Sequence, residues 1–184
     1  MFNALNALSA LVRSSESDKA LGAIEKLSEL LRYALSSGEK TWVSMEEEIR
    51  FVQDYLSLQK LRFGDRMQVQ ILGAEDKVLA CSCPPLLLQP LMENALRHDL
   101  ECYKGVGDIV LAFHYSERGL RCIVSNPVHE GLTVKAGFGL GLKTLRARLA
   151  SLYQGRARLH TAIEAGRFGV ELFLPREHQC SGCC

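Results

Sequence analysis

The sequence has 184 residues, enough for one or two domains and for a real apolar core. Its composition is typical of a globular protein, with 47% apolar residues, 23% charged residues and a formal net charge of +1. Because no run of lysines or arginines dominates one face, we expect no nucleic acid among its partners. The longest apolar stretches fall far short of the roughly 18 residues that span a membrane, which predicts a soluble fragment. The irregular spacing of the seven cysteines favours a reducing compartment.

Residues 1–40 carry two helical patterns separated by a polar break. Leucines recur every three residues within 1–14, and a broad apolar stripe runs through 19–36 at helical spacing. Two such helices joined by a short turn predict an antiparallel hairpin. One hairpin cannot hide both stripes, so we expect a homodimer that pairs two hairpins in a four-helix bundle.

The next segment predicts a third helix, then short strands. Ser44-x-x-Glu47 has the form of a capping box and opens a helix that runs to about Phe63. Two strand-like runs follow at 67–72 and 77–80. Pro90 would cost about 3 kcal/mol in a helix interior, so it marks the first turn or a kink of the next helix.

The second half of the chain alternates between strand and helix patterns. Strands are predicted at 108–114, 120–126, 159–163 and 168–174, and a helix from Leu142 to Leu152. The first two strands form a hairpin, and a tight turn joins the last two. We therefore predict an α+β fold, with helices packed on one face of a mixed, mostly antiparallel sheet.

The stretch 84–98 places two kinds of residue on two faces of a helix. Its apolar stripe, which predicts a packed face, consists of Leu88, Leu91, Met92, Ala95 and Leu96. Its polar residues recur every four positions in two rows, namely Gln89, Glu93 and Arg97 in one and Asn94 and His98 in the other. Taken alone, the pattern favours an ordinary amphipathic helix with a solvated face.

A glycine-rich segment, 137–142, changes that interpretation. Backbone N–H groups of such a loop can point at phosphate oxygens, with the helix dipole assisting. Gly139 and Gly141 would allow a close approach, whereas Phe138 and Leu140 would pack against the domain. Glycines also occur for steric reasons, and the segment fits neither the Rossmann nor the Walker pattern. Asn94 is the complementary feature, because an asparagine carbonyl and phosphate oxygens can complete a Mg²⁺ shell.

Several stretches, in order, resemble the motifs of LytS/YehU-type sensor histidine kinases. They are Phe2–Asn6, which resembles the second half of the H-F-x-F-N-x-L-N phosphoacceptor segment, then Glu25–Tyr33, Tyr55–Arg66, Pro84–His98 and Gly137–Leu149. The resemblance covers nearly the whole chain to about Pro175. It implies a dimerisation hairpin over 1–40 and an ATP-binding domain over 41–176. That domain would be an α/β sandwich of the gyrase/Hsp90/histidine-kinase fold, and 177–184 would be a disordered cysteine-rich tail.

The resemblance also implies roles for individual residues. Asn94 would be the Mg²⁺ residue, and Arg97 and His98 would lie near the phosphates of ATP. The second glycine box would comprise Gly137, Gly139, Leu140, Gly141 and Leu142, and the first would comprise Ser125 and Asn126.

Three departures from the family pattern qualify these roles. The acceptor histidine would fall two positions before Met1, so this chain is not expected to autophosphorylate by itself. Asp99 stands where the family has glycine. Ser125-Asn126-Pro127 replaces Asp-Asn-Gly, and a serine would bind the adenine amino group about 1–2 kcal/mol more weakly than the aspartate does. Ser125→Asp is therefore expected to restore a preference for ATP, although a sub-branch resembling the alginate regulator kinase of pseudomonads carries a similar Asn-Pro.

The expected function is the transmitter core of a bacterial two-component sensor histidine kinase. The full-length parent would be a protein histidine kinase with an upstream membrane sensor segment. This part would lie at the cytoplasmic side of the inner membrane, as a homodimer that serves a LytTR-type response regulator. A degenerate pseudokinase acting as a dimerisation and docking module is the alternative. An unrelated ATPase of the same fold is less favoured, because Pro90 stands where such enzymes place a water-activating carboxylate.

Overall fold

A computed structural model describes residues 17–38, 40–129 and 139–176 of the chain. The predicted helix of residues 1–14, the start of the glycine-rich segment with Gly137 and Phe138, and the tail 177–184 lie outside the described residues. The helices are α1 (Ser17–Ser37), α2 (Met45–Phe63), α3 (Asp76–Leu79), α4 (Gln89–Leu96) and α5 (Leu140–Leu152). The strands are β1 (Val43–Ser44), β2 (Met67–Leu72), β3 (Ser82–Cys83), β4 (Gly107–Ser116), β5 (Gly119–Pro127), β6 (Arg158–Glu164) and β7 (Arg167–Pro175).

Helix α1 packs on α2 through a small apolar cluster of its own. The cluster is formed by the buried residues Ala23, Leu30, Phe51 and Leu58, with Leu27, Tyr33, Tyr55 and Leu86 packed against it. The rings of Tyr33 and Phe51 lie 4.8 Å apart between centroids. The predicted second helix is thus confirmed, and it is docked on the rest of the chain.

The opposite side of α1 exposes a second apolar stripe. It is formed by Leu21, Ile24, Leu31 and Leu35, all of them exposed, with Ser28 in the middle of the row. The spacing alternates between three and four residues, as in the seam of a coiled coil. No helix in the described part of the chain is long and apolar enough to cross a membrane. No other helix covers this stripe within the described residues, since its four apolar side chains are exposed.

The start of α2 has the predicted capping box. The Ser44 hydroxyl accepts a hydrogen bond from the Glu47 backbone N–H at 3.1 Å, and the Glu47 carboxylate accepts one from the Ser44 N–H at 2.8 Å. These bonds satisfy two backbone donors that a helix start otherwise leaves unpaired. The hydrogen bond from Ser44 also lowers the pKa of Glu47.

We expect Ser44→Ala to lower the free energy of unfolding by about 1 kcal/mol, because the Glu47 N–H loses its acceptor. Urea unfolding at neutral pH measures this loss. Ser57→Ala is the matched control on the same helix, since that hydroxyl only donates to the Gln53 carbonyl. An equal loss in both variants would contradict the role of the cap. In the wild type, the stabilisation by Glu47 is present above its ordinary pKa and is lost as the pH falls through the lowered pKa.

The main sheet has five strands in the order β2-β4-β5-β7-β6. Strands β2 and β4 are parallel, and the other neighbours are antiparallel. The inward side chains of the sheet and the apolar faces of α2, α4 and α5 share one core, which includes Val52, Leu91, Leu111, Leu145 and Leu172. The predicted mixed, mostly antiparallel sheet with helices on one face is confirmed.

One predicted strand is wrong. Residues 77–80 were expected to be extended, but Asp76–Leu79 form the short helix α3. The N–H groups of Val78 and Leu79 donate to the Glu75 carbonyl at 2.8 and 2.9 Å, so this backbone pairs with itself. Strand pairing occurs three residues later, where β3 pairs with β1.

Candidate functional site

Helix α4 turns its apolar stripe into the core, and the residues of its polar rows range from half-buried to exposed. Leu91, Met92, Ala95 and Leu96 are buried in the core. Pro90 lies in the first turn, as predicted, where its missing N–H breaks no helical hydrogen bond. In the first polar row, the Gln89 amide donates a hydrogen bond to the Glu93 carboxylate at 2.8 Å, so these two side chains pair with each other. The second row, Asn94 and His98, therefore carries the polar groups of interest.

Asn94 holds a buried amide without a partner among the described residues. Its Nδ2 atom is inaccessible to solvent and makes no hydrogen bond there. A buried, unsatisfied amide costs about 1–3 kcal/mol, so such a group in a native protein needs an explanation. A ligand that binds at this position would provide the missing partner.

His98 lies one turn after Asn94 and faces the sheet. Its ring lies 6.2 Å from that of Phe168, an inward residue of β7. Burial, and then the charge of Arg97, lower the pKa of His98, so the imidazole is neutral at pH 7. Arg97 itself is exposed.

Helix α4 continues into a π-helical turn, Arg97–Glu101, which is fixed by Asp99. The Asp99 carboxylate is fully buried, accepts the Asp108 N–H at 2.9 Å and lies 2.6 Å from Nε2 of His129. The His129 ring in turn stacks on Tyr103 at 3.7 Å. The family's glycine is thus replaced here by a residue that ties the helix end to the starts of β4 and the loop after β5. Space for Asp99 comes from Gly107, where an added Cβ would lie 2.6 Å from the carboxylate.

The two residues of the first glycine box lie on opposite faces of β5. Asn126 is buried and pairs with Phe168, so it faces the helices. Ser125 pairs with Gly169 and faces the other side of the sheet. Its hydroxyl accepts a hydrogen bond from Arg167, which also binds the Asp108 carboxylate at 2.7 Å. The structure thus brings Asn126 to the side of Asn94 and His98, and it does not bring Ser125 there.

The start of α5 lies beside the first turn of α4, since a Cβ added at Gly141 would lie 3.7 Å from Cβ of Pro90. A Cβ added at Gly139 would have nothing within 4 Å. Neither position has a positive φ, so packing and backbone conformation do not require glycine at either. No side chain in the described residues caps this helix, and its first N–H groups have no helical acceptor. The helix start is therefore suited to bind an anion.

Two leucines of the second glycine box differ in their placement. Leu140 is 83% exposed, so the prediction that it packs against the domain is wrong. Leu142 is buried in the core, which leaves only its backbone for contact with a ligand. Gly137 and Phe138 lie outside the described residues.

A buried carboxylate near the site was not predicted from the sequence. Glu48 of α2 is fully buried, and burial raises the pKa of this carboxyl. It belongs to a run of three acidic residues, which resembles a solvated helix start. The available signal was its spacing, because Glu48 falls three residues after Met45 and four before Val52, both on the buried face.

The donors at this site fit a metal-bound phosphate chain. Asn94 supplies an amide oxygen, a ligand that Mg²⁺ accepts, and an amide nitrogen that has no partner among the described residues. The start of α5 supplies N–H groups for phosphate oxygens. His98 adds a neutral imidazole. Asn126 adds a second amide on the face of the sheet that packs against the helices.

Known proteins resemble this chain in sequence. Residues 1–67 match the family described as histidine kinase. The sensor protein LytS of Staphylococcus saprophyticus is 30% identical over 174 residues, which are 87% of this chain and 29% of that protein. LytS of Streptococcus agalactiae is 34% identical over 172 residues, 86% of this chain and 29% of that protein. The sensor histidine kinase YpdA of Escherichia coli is 31% identical over 163 residues, 83% of this chain and 28% of that protein. The chain spans less than a third of the length of these relatives.

Solved structures share the fold at lower sequence identity. The catalytic domain of histidine kinase ThkA superposes with a TM-score of 0.55 and 17% identity, over 73% of this chain and 95% of that domain. The histidine kinase domain of a blue-light activated histidine kinase from Erythrobacter litoralis also superposes with a TM-score of 0.55 and 17% identity, over 91% of this chain and 85% of that domain.

Proposed function

The chain belongs to the LytS-type sensor histidine kinases, and we propose that its residues 41–176 bind ATP with Mg²⁺ for phosphoryl transfer to a histidine. In the full-length parent, an aspartate of a LytTR-type response regulator would receive the phosphoryl group next. The parent would carry an upstream membrane sensor segment, with this part at the cytoplasmic side of the inner membrane. The observation that carries the proposal is the buried amide of Asn94, which has no hydrogen-bond partner among the described residues and lies one turn from the contact between α4 and the start of α5.

Each polar group of the site has one role in this proposal. Asn94 would hold Mg²⁺ through its carbonyl oxygen, and its amide nitrogen would be a hydrogen-bond donor for a phosphate oxygen. The backbone N–H groups at Leu140 and Gly141 bind further phosphate oxygens, with the helix dipole assisting. Arg97 and His98 lie at the edge of the phosphate subsite. When bound there, Mg²⁺ would neutralise the charge on the transferring phosphoryl group. The contribution of the chain is positional and electrostatic.

The base subsite lacks the carboxylate that the family places there. Asn126 faces inward, and its Nδ2 donates to the Pro127 carbonyl at 3.0 Å. An amide can present either a donor or an acceptor to a base. It therefore has no strong preference between the amino group of adenine and the carbonyl of guanine. Weak binding with poor discrimination between ATP and GTP follows.

We expect ATP and GTP to bind the wild-type chain with affinities within about fivefold of each other. Asn126→Asp should raise the preference for ATP by about tenfold or more, because a buried carboxylate would face the guanine carbonyl without a donor. Competition calorimetry measures the ratio. Ser125→Asp is the matched control and should leave the ratio unchanged, since that side chain faces Arg167 on the other side of the sheet. This expectation replaces the one based on sequence. A shift of the ratio in Ser125→Asp alone would contradict the assignment of faces.

A homodimer is the second part of the proposal. Residues 1–40 would form the dimerisation hairpin, and the exposed stripe of α1 has the spacing of a helix–helix seam. Covering it with the helices of a second copy would bury its four apolar side chains.

A degenerate pseudokinase is the second candidate function. The observation that favours it is that the first glycine box holds no carboxylate for adenine, since its inward residue is the neutral Asn126 and its other residue is Ser125. Such a chain would form dimers and dock a partner without binding ATP and Mg²⁺. Nucleotide titration separates the two candidates.

A further inference from the structure

Glu48 is the only carboxylate in the described part of the chain that accepts three consecutive backbone N–H groups. Its Oε1 atom accepts the Leu86 N–H at 2.6 Å, and its Oε2 atom accepts those of Leu87 and Leu88 at 2.7 and 2.9 Å. Leu88 is the residue that immediately precedes α4. The carboxylate therefore holds the start of the helix that carries Asn94.

The same carboxylate also binds α1. The Tyr33 hydroxyl donates to Oε1 of Glu48 at 2.8 Å. Leu86 packs against the cluster between α1 and α2, and its φ of 55° is unusual for a leucine. A residue in this conformation persists only when its surroundings hold it, and here the hydrogen bond to Glu48 does so. One buried group thus joins the dimerisation helix to the loop before α4.

The second helix of the site reaches the same loop. Arg148 of α5 donates to the Pro85 carbonyl at 2.6 Å. The segment 85–88 therefore contacts α1 and α2 through Glu48 and α5 through Arg148. A displacement of α1 would act on both helices of the nucleotide site through this segment.

We propose that Glu48 is a positioning residue that couples α1 to the Mg²⁺-binding position of Asn94 through the backbone of residues 86–88. This proposal rests on the proposed function, since it relates the position of Asn94 to the binding of ATP with Mg²⁺. The substrate remains ATP with Mg²⁺, and Glu48 does not touch it. A movement of the hairpin on signalling is converted into a change of Mg²⁺-dependent affinity.

Tyr33→Phe tests the coupling, because it removes only the hydroxyl and leaves the ring on Phe51. In the whole chain we expect the Kd for ATP in the presence of Mg²⁺ to rise about fivefold to tenfold, with no change in EDTA. The Leu87 and Leu88 amides should exchange hydrogen about tenfold faster, as expected for the loss of a hydrogen bond to a charged group. Tyr115→Phe removes the same atom from an exposed tyrosine at the end of β4 and should change neither quantity.

Glu48→Gln completes a double-mutant cycle. A glutamine keeps the shape but offers one acceptor oxygen in place of two, so the N–H groups of 86–88 lose partners. If the Tyr33 hydroxyl, the Glu48 carboxylate and the N–H groups of 86–88 act as one unit, adding Tyr33→Phe to Glu48→Gln changes the Kd for ATP little further. Additive effects, or equal losses of affinity with Mg²⁺ and in EDTA, would overturn the proposal. If Glu48→Gln does not fold, the comparison of Tyr33→Phe with Tyr115→Phe decides.

A failure of the proposed function is distinguishable from a failure of this inference. If the wild-type chain does not bind ATP with Mg²⁺, the proposed function fails. The exchange of the Leu87 and Leu88 amides needs no nucleotide, and wild-type exchange in Tyr33→Phe would overturn the coupling by itself.

Discussion

Asn94→Ala is expected to remove the Mg²⁺-dependent part of ATP binding. Loss of the metal ligand and of the amide donor should raise the Kd in Mg²⁺ about a hundredfold, equivalent to about 2.7 kcal/mol, and leave the Kd in EDTA nearly unchanged. Calorimetry with and without Mg²⁺ measures both values. Gln70→Ala, which removes an exposed amide from β2, is the control and should bind as the wild type does.

The same substitution has an expected effect on stability that goes the other way. The Nδ2 atom of Asn94 is buried and has no partner in the described residues, so alanine removes an unsatisfied group. We expect the nucleotide-free variant to be as stable as the wild type or more stable, by up to about 1 kcal/mol. A large loss of stability would show that Asn94 has a structural partner, and it would contradict its assignment to a ligand.

Leu31→Glu is expected to convert the proposed homodimer into a monomer. A charge in the middle of the α1 stripe would be buried without a partner in a helix–helix seam, whereas the packing of α1 on α2 is untouched. We expect the dimer dissociation constant to rise at least a hundredfold, measured by sedimentation over a concentration series. Leu61→Glu is the matched control, since Leu31 and Leu61 are both 38% exposed and Leu61 lies outside the stripe.

A truncated chain that begins at Thr41 should also be monomeric, because it lacks the whole hairpin. The truncation uncovers Phe51 and Leu58 of α2, so it is a weaker test than the point substitution. Equal masses for wild type and Leu31→Glu at every concentration would contradict dimerisation through this stripe.

The strands and long helices could be predicted because their periodicity is a direct consequence of which face is buried. In β7 the inward residues Phe168, Val170, Leu172 and Leu174 alternate with more exposed ones, so the sequence alone indicated a strand. Residues 77–80 were misassigned because four residues with one buried side chain, Val78, and one half-buried side chain, Leu79, fit either period. There the backbone hydrogen bonds to the Glu75 carbonyl determine the helical conformation, and the apolar pattern of the sequence does not reveal them.

The residues of the candidate site stay a prediction from the sequence, and the structure adds where they lie. The helical spacing of Asn94 and His98 predicts one face, and both side chains are half-buried in the structure. For β5, the motif identified Ser125 and Asn126 together, but only the pairing with Gly169 and Phe168 shows which of them faces the helices. Glu48 was missed because a buried carboxylate depends on donors that lie far away in the chain, here in residues 86–88.

The central claim is that Asn94 and the start of α5 bind the phosphates of ATP together with Mg²⁺. Titration of the wild-type chain with ATP by calorimetry, with Mg²⁺ and again with EDTA, tests it most directly. We predict weak but measurable binding in Mg²⁺ that falls about a hundredfold or more in EDTA. Binding that is the same in both solutions, or no binding in Mg²⁺ at millimolar ATP, would contradict the claim.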